Sequence, residues 1–110
     1  PWTLYGATKA SLGEILSARF PHLSVATARL FSVYGPHEPT ARLVPSVTLK
    51  LLRGEAAPCP SGVQSRDFLY VKDMGSALAK LTASAVTGPV NIASGEALTL
   101  RNLLSAIGSE

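Results

Sequence analysis

The sequence predicts an α/β fold built on a doubly wound parallel sheet. A helical pattern over residues 4–20 is followed by a short, mostly apolar run over 24–31, which fits a strand covered on both faces. Helical patterns and short strand candidates then alternate to the end of the chain. A helix followed by such a strand is half of a β-α-β unit, and we expect the strands that flank 24–31 to lie outside this sequence.

Composition excludes several classes of protein. The 110 residues are 46% apolar and 15% charged, which is typical of a globular domain. The net charge is only +3 and the basic residues are scattered, which argues against a nucleic-acid partner. The lone Cys59 excludes an internal disulfide and has no neighbours at metal-ligand spacing, so we expect no metal. No apolar run approaches the ~18 residues of a membrane span, and we expect a cytoplasmic protein without a membrane partner.

The first helical pattern places two chemically useful side chains on one face. Tyr5 and Lys9 are four residues apart, which is about one helical turn. A nearby cation favours the phenolate form of a tyrosine, so this pair suits proton transfer to or from a hydroxyl or carbonyl. The motif is weak when it stands alone, because chance pairs of this spacing are common.

The same helix has an apolar stripe and ends before Pro21. The stripe consists of Leu12, Ile15, Leu16 and Phe20. On another part of the helix the residues are small, which would let a partner element approach closely; they are Gly6, Ala7, Ala10 and Gly13.

The remaining chain predicts one long loop and several shorter elements. Residues 31–42 form a polar loop at the carboxyl end of the first strand, where open α/β sheets place ligands. A helix is predicted over 44–53 with Val44, Val47, Leu51 and Leu52 inward, and an edge segment over 56–62. Strands are predicted at 68–71 and 90–93. Helices are predicted to begin after caps at Asp73 and Thr99.

Four motifs in this order resemble one enzyme family. They are Tyr5-x-x-x-Lys9, ARLFSVYGP at 28–36, QSRDFLYVKD at 64–73 and VNIASG at 90–95. Together they resemble the extended short-chain dehydrogenase/reductases, and more narrowly the NAD-dependent sugar-nucleotide epimerases and dehydratases. The likeness corresponds to about the second half of such an enzyme. The chain begins at Pro1 without an initiator Met, and we expect it to be a fragment of a longer protein that is inactive alone.

The resemblance implies a Rossmann-like, NAD-binding sheet and roles for individual residues. Tyr5 would be the catalytic acid/base, and Lys9 would support it and bond the nicotinamide ribose. Phe31, Ser32 and Val33 would lie against the nicotinamide of NAD, or of NADP, mainly through backbone groups.

The substrate side is implied in the same way. Arg66 would hold the diphosphate of a nucleotide-sugar substrate, since a guanidinium fork suits adjacent phosphate oxygens. Its alternative is a structural ion pair with Asp67 or Asp73. Val44 would begin a helix whose N-terminus faces the diphosphate. Pro58 and Cys59 would pass along the nucleotide base, or belong to an ordinary edge segment.

The resemblance also divides the chain and leaves alternatives open. Residues 1–36 would end the dinucleotide-binding domain, and 37–110 would mainly form the substrate domain, with some segments returning to the sheet. The complete enzyme would be a homodimer. A 4-keto-6-deoxysugar nucleotide reductase, a relative acting on another substrate, and a non-catalytic NAD-binding member are the alternatives.

Overall fold

The computed structural model describes residues 2–57 and 61–109, and its architecture is the predicted mixture of helices and parallel strands. In chain order the described elements are α1 (Leu4–Arg19), β1 (Ala26–Leu30), β2 (Ser32–Tyr34), α2 (Leu43–Leu52), β3 (Ser65–Tyr70), α3 (Val71–Thr82), β4 (Gly88–Ile92), β5 (Ala97–Thr99) and α4 (Leu100–Gly108). The α/β class with a parallel sheet is therefore confirmed.

The described strands form two small sheets. In the first sheet, β1 and β4 are parallel, with Ala26 opposite Gly88 and Leu30 opposite Ile92. In the second sheet, β3 pairs in parallel with β2 and antiparallel with β5. The expectation that the flanking strands lie outside the sequence is wrong on one side, because residues 88–92 return to pair with β1. Sequence position alone does not reveal such a return.

The chain between β1 and β2 differs from the prediction of one strand over 24–31 followed by a loop over 31–42. The backbone N–H of Phe31 still donates to the Ile92 carbonyl at 3.2 Å, as the last rung beside β4. The next residues pair with β3 instead, with Ser32 opposite Phe68. The first residues of the predicted 31–42 loop are therefore a strand, because the chain changes partner at Phe31 and so passes from one sheet to the other.

Helix α1 approaches β1 closely at Gly13, one of the small residues of the helix. A side-chain carbon added at Gly13 would lie 3.1 Å from the Thr27 hydroxyl oxygen, so helix and strand approach closely there. The apolar stripe is only half covered in the described structure, because Leu12 is 50% and Ile15 58% exposed while Leu16 and Phe20 are partly buried. The helix begins at the cap Thr3, whose side chain accepts from the Gly6 N–H at 3.0 Å, and it ends at Arg19 as Pro21 predicts.

Helix α2 meets its prediction only in part. Val47 is 5% exposed and faces inward, as the helical pattern indicates. Leu51 and Leu52 are 41% and 79% exposed, so their predicted inward positions are wrong.

The predicted caps of the two later helices have different outcomes. Thr99 caps α4, since its hydroxyl oxygen accepts from the Asn102 N–H at 3.2 Å. Asp73 does not cap α3, because that helix already begins at Val71 after the cap residue Tyr70, and Asp73 lies inside its first turn.

The molecule is open. Among the described apolar side chains, the most deeply buried are Val47 and Ile92, at 5% and 7% exposure. The Cα radius of gyration is 17.3 Å, whereas a compact domain of this length has about 13 Å. Within the described ranges, no helix is both long and apolar enough to cross a membrane.

Candidate active site

The side chains of Tyr5 and Lys9 lie on one face of α1, as their spacing predicts. The Lys9 ammonium nitrogen Nζ is 5.7 Å from the centroid of the Tyr5 ring. Tyr5 is 74% exposed and Lys9 is also exposed. A cation over an aromatic ring is attracted by its negative face, and here both groups remain accessible to a ligand.

The position of Tyr5 along α1 sets it near the carboxyl end of β1. The short connection 20–25 makes α1 and β1 run in opposite directions, and Gly13 contacts Thr27. Tyr5 is eight residues before Gly13, a rise of about 12 Å along a helix. Phe31 is four residues after Thr27, about 13 Å along a strand. Tyr5 therefore lies near the end of the sheet at which β1 passes into β2, whereas Lys9, four residues before Gly13, is only about 6 Å along the helix from it.

Residues 31–33, at the carboxyl end of β1, could contact a ligand through backbone groups and one aromatic side chain. Phe31 is 48% exposed, and its N–H is already bonded to Ile92. A ligand contact from Phe31 therefore falls to its carbonyl or its ring. Ser32 and Val33 are partly buried in the pairing with β3.

The N-terminus of α2 is a second polar feature. Val44 is the second residue of the helix, where N–H groups have no intrahelical acceptor. The third position is Pro45, which has no N–H, so Leu43 and Val44 are the free donors of the first three positions. The cap position is occupied by Arg42, an exposed cation that makes no side-chain capping bond. Arg42 belongs to none of the four sequence motifs.

Arg66 lies on β3 with an exposed guanidinium. Its Nη1 donates to the carbonyl of the preceding Ser65 at 3.2 Å. Successive residues of a strand point to opposite faces, so Arg66 and Asp67 project in different directions. The alternative of an Arg66–Asp67 ion pair is therefore not favoured by the geometry.

Asp67 binds the backbone of a turn that is distant in the sequence. Its two carboxylate oxygens accept from the backbone N–H groups of Ser94, at 2.8 Å, and Gly95, at 2.9 Å. The Ser94 N–H, and then other donors of this turn, lower the pKa of Asp67 below its ordinary value against a smaller opposing effect of burial. The motif QSRDFLYVKD drew attention to this residue, but nothing local identifies a partner that lies 27 residues away.

Two surface cavities lie away from these side chains. One, of about 310 Å³, is lined by Ser61, Gly62, Arg101, Leu104 and Ser105. The other, of about 290 Å³, lies between the loop after β2 and α2, and Val44 contributes to its wall. In the described part of the chain neither cavity is lined by Tyr5, Lys9 or Arg66. His37, the loop histidine, is exposed and adopts a left-handed backbone conformation with φ of 69°.

The structure thus brings Tyr5 and Lys9 together on one face of α1. Val44 and Arg66 lie on separate elements of the other sheet and its helices. Pro58 and Cys59 lie outside the described residues, so their predicted place beside a nucleotide base stays a prediction. Within 2–57 and 61–109, no three His, Cys, Asp or Glu side chains cluster as metal ligands.

Comparison with known proteins gives one family. A family model described as the NAD dependent epimerase/dehydratase family matches residues 1–93. UDP-glucuronic acid decarboxylase 6 of Arabidopsis thaliana is 34% identical over 88 residues, which is 77% of this chain and 26% of that protein. dTDP-glucose 4,6-dehydratase of Escherichia coli is 34% identical over 91 residues, covering 80% of this chain and 25% of that protein.

Solved structures of epimerases and dehydratases are also similar to this chain. UDP-N-acetylglucosamine 4-epimerase of Methanobrevibacter ruminantium M1, in complex with UDP-N-acetylmuramic acid, superimposes with a TM-score of 0.88 and 32% identity over 99% of this chain and 37% of that one. dTDP-glucose 4,6-dehydratase of Bacillus anthracis, in complex with NAD, gives a TM-score of 0.87 and 28% identity over 99% and 36%. The chain thus spans about a quarter of the length of these curated relatives and just over a third of the solved chains.

Proposed function

Since the chain belongs to the NAD-dependent epimerase/dehydratase family, we propose that it supplies the acid/base pair and part of the substrate site of a sugar-nucleotide epimerase or dehydratase. The reaction would move a hydride between a sugar carbon and the nicotinamide of NAD. The activity belongs to the complete gene product and not to these 110 residues alone. Family membership confirms the resemblance that the four sequence motifs indicated.

The observation that carries the proposal is the exposed Tyr5–Lys9 pair on α1, with Tyr5 near the carboxyl end of β1. The phenol exchanges a proton with the sugar hydroxyl or ketone as the hydride moves. The Lys9 ammonium, 5.7 Å from the Tyr5 ring centroid, provides positive charge beside the phenol and a donor for ribose hydroxyls. An acid/base group and a compact cation that face the same side are what this chemistry requires.

The described residues fit NAD at this position. Lys9 and Phe31 are exposed and can meet a ribose and a nicotinamide, while Ser32 and Val33 follow at the start of β2. NAD, when bound, accepts the hydride and returns it. NADP in its place is the alternative, because the part of a dinucleotide site that reads the adenosine ribose is outside the described residues.

A nucleoside diphosphate sugar is the proposed substrate class. The relatives named above are a decarboxylase, dehydratases and an epimerase, each named for a UDP- or dTDP-linked sugar. In this chain the exposed Arg66 guanidinium and the N-terminus of α2 at Val44 are the groups suited to a diphosphate. Pro58 and Cys59 are proposed to follow the nucleotide base.

The Tyr5→Phe variant of the complete gene product tests the acid/base role. The ring is kept and only the proton-carrying hydroxyl is lost, so kcat should fall by about 10²–10⁴-fold while binding of a nucleoside diphosphate stays the same. Steady-state turnover of UDP- and dTDP-sugars with NAD, together with calorimetric titration, provides both measurements. A near-normal kcat would show that Tyr5 is not the acid/base.

The Arg66→Ala variant tests the substrate class. Charge-assisted bonds to phosphate contribute about 1.5–3 kcal/mol each, so KM for the sugar nucleotide should rise at least about tenfold. Arg66→Lys should recover only part of the loss, because an ammonium cannot form the bidentate fork. Titration with NAD is the control and should be unaffected. An equal loss for NAD would identify Arg66 as a structural residue.

A reductase of 4-keto-6-deoxysugar nucleotides would use the same Tyr5 and Lys9, so the products of turnover distinguish it. A non-catalytic NAD-binding member is disfavoured because Tyr5, Lys9 and Arg66 are all present and exposed. In that case, Tyr5→Phe would change nothing measurable, since wild type would show no turnover.

We extend the proposal to organisation. Residues 1–36 are assigned to the dinucleotide-binding domain and 37–110 mainly to the substrate domain; the pairing of β4 with β1 supports a return of the later segment to the first sheet. The complete enzyme is proposed to be a cytoplasmic homodimer. Sedimentation of the complete gene product with and without NAD measures the oligomeric state.

A further inference from the structure

The two sheets of the chain are joined by a side-chain contact that the proposed chemistry does not use. Asp67 is on β3, in the sheet that carries Arg66. Ser94 and Gly95 follow β4, which pairs with β1 in the first sheet. The Asp67 carboxylate accepts from both of these backbone N–H groups, at 2.8 and 2.9 Å.

The turn that Asp67 holds is itself well ordered by local bonds. The Ser94 hydroxyl donates to the Glu96 carbonyl at 3.2 Å and accepts from the Glu96 N–H at 3.1 Å. Ala93 joins this turn to Ile92, the last residue of β4. The Ile92 carbonyl accepts a hydrogen bond from the Phe31 N–H. The turn therefore continues directly from the end of β4 beside Phe31.

The same contact also holds strand β3, to which Asp67 belongs. Asp67 and Arg66 are consecutive in a strand and project to opposite faces. The two bonds of the Asp67 carboxylate tie β3 to the Ser94–Gly95 turn at the residue next to Arg66, so they hold the backbone that carries Arg66. β3 is paired on both sides, with β2 and with β5, but its pairing with β5 covers only 65–67 and ends at Asp67.

We propose that Asp67 is a positioning residue that fixes Arg66, and with it the substrate diphosphate, relative to the nicotinamide end of the first sheet. Asp67 touches neither ligand; it acts through the Ser94–Gly95 turn and through β3. The inference rests on the proposed function, since it assigns Arg66 to the diphosphate. It implies that a charged side chain, as well as packing, sets the distance between the two ligand sites.

The experiment compares Asp67→Ala and Asp67→Asn with a matched control in the complete gene product. Glu96→Gln removes a carboxylate from the same turn without removing a bond to β3, because the bonds of Glu96 in this turn are made by its backbone. Asp67→Ala should lower kcat/KM for the sugar nucleotide by about 10–100-fold, because a displacement near 1 Å costs up to this much. Asp67→Asn keeps one acceptor oxygen and should lie between Asp67→Ala and wild type. Glu96→Gln should match wild type.

Two further readouts separate positioning from a general loss of structure. Hydrogen exchange of the Ser94 and Gly95 amides should accelerate in Asp67→Ala and not in Glu96→Gln. Calorimetric titration with UDP or dTDP should show weaker binding in Asp67→Ala, while titration with NAD should be unchanged. Equal losses for NAD and the diphosphate would overturn the proposal, because they indicate general unfolding.

The failure of this inference is distinguishable from failure of the proposed function. A wild-type protein that binds UDP or dTDP, with an Asp67→Ala variant of equal affinity and equal kcat/KM, overturns the positioning role alone. A wild-type protein that binds neither diphosphate and turns over no sugar nucleotide overturns the proposed function and this role together.

Discussion

At the scale of single residues, polar side chains with similar sequence settings act differently in the fold. Thr99 caps α4 through its hydroxyl oxygen, whereas Asp73 falls inside the first turn of α3 because that helix begins two residues earlier. An acidic residue in a first turn still interacts favourably with the helix dipole. Asp67 uses its carboxylate on backbone donors far along the chain.

Asp67 makes the stability of the complete gene product depend on acid pH. The bonds from Ser94 and Gly95 favour the charged carboxylate and lower its pKa in the folded state. The stabilisation is therefore fully present above the unfolded pKa of about 4 and is lost as pH falls through the lower folded value. We expect the Tm difference between wild type and Asp67→Asn to be constant from neutral pH down to about pH 5 and to shrink below about pH 4.

Thermal denaturation across this pH range measures the effect, with Glu96→Gln as the control for a lost surface charge. A Tm difference that stays constant down to the lowest pH would show that the Asp67 carboxylate contributes no pH-dependent stabilisation.

At the scale of elements, helix α3 contains a residue of low helix propensity. Gly75 is within the helix, is exposed, and has nothing within 4 Å of the place where a Cβ would stand. Glycine in a helix interior costs about 0.5–1 kcal/mol relative to alanine. Gly75→Ala should therefore raise the free energy of unfolding by about that amount, as measured by denaturant titration of the complete gene product. A decrease would mean that another part of the protein packs against this position.

Gly35, in the turn after β2, is the contrasting control. Its φ is 152°, and an added Cβ would lie 2.5 Å from a methyl carbon of Val71 at the start of α3. Gly35→Ala should destabilise the protein by about 1–3 kcal/mol through overpacking. Combining it with Val71→Ala should recover part of the loss, since the contact is with a side chain.

At the scale of the whole molecule, the described chain leaves apolar surface uncovered. Leu12, Ile15 and Phe31 are each about half exposed, and Leu52 is 79% exposed. The radius of gyration of 17.3 Å fits elements that extend along the 56 Å axis without a closed core. The sheet of β1 and β4 has only two strands in the described part, so each of these strands has an unpaired edge.

These 110 residues expressed alone should therefore be marginally stable or prone to aggregation. We expect binding of a hydrophobic dye and a broad thermal transition, because little apolar surface is buried to offset the entropy of ordering the chain. Calorimetry together with dye fluorescence makes the measurement. A sharp, reversible, cooperative melt of the monomer would contradict this expectation.

The features that the sequence by itself determined are local. Tyr5 and Lys9 share a face because helical geometry alone places residues four apart one turn from each other. Thr99 is identified as a cap by its own position before an apolar periodic segment, and the small face at Gly13 by its composition. The four motifs identified the family in the same way, because each is a short run of residues.

Only the tertiary structure decided which distant segments meet. It placed β4 beside β1, changed the strand partner at Phe31 and bonded Asp67 to the Ser94–Gly95 turn. It also set Gly13 of α1 against Thr27 of β1 and left Leu12 and Ile15 of the apolar stripe exposed. The physical reason is that these contacts join residues far apart along the chain. Their formation depends on the packing and hydrogen bonding of whole elements, which no local pattern of residues specifies.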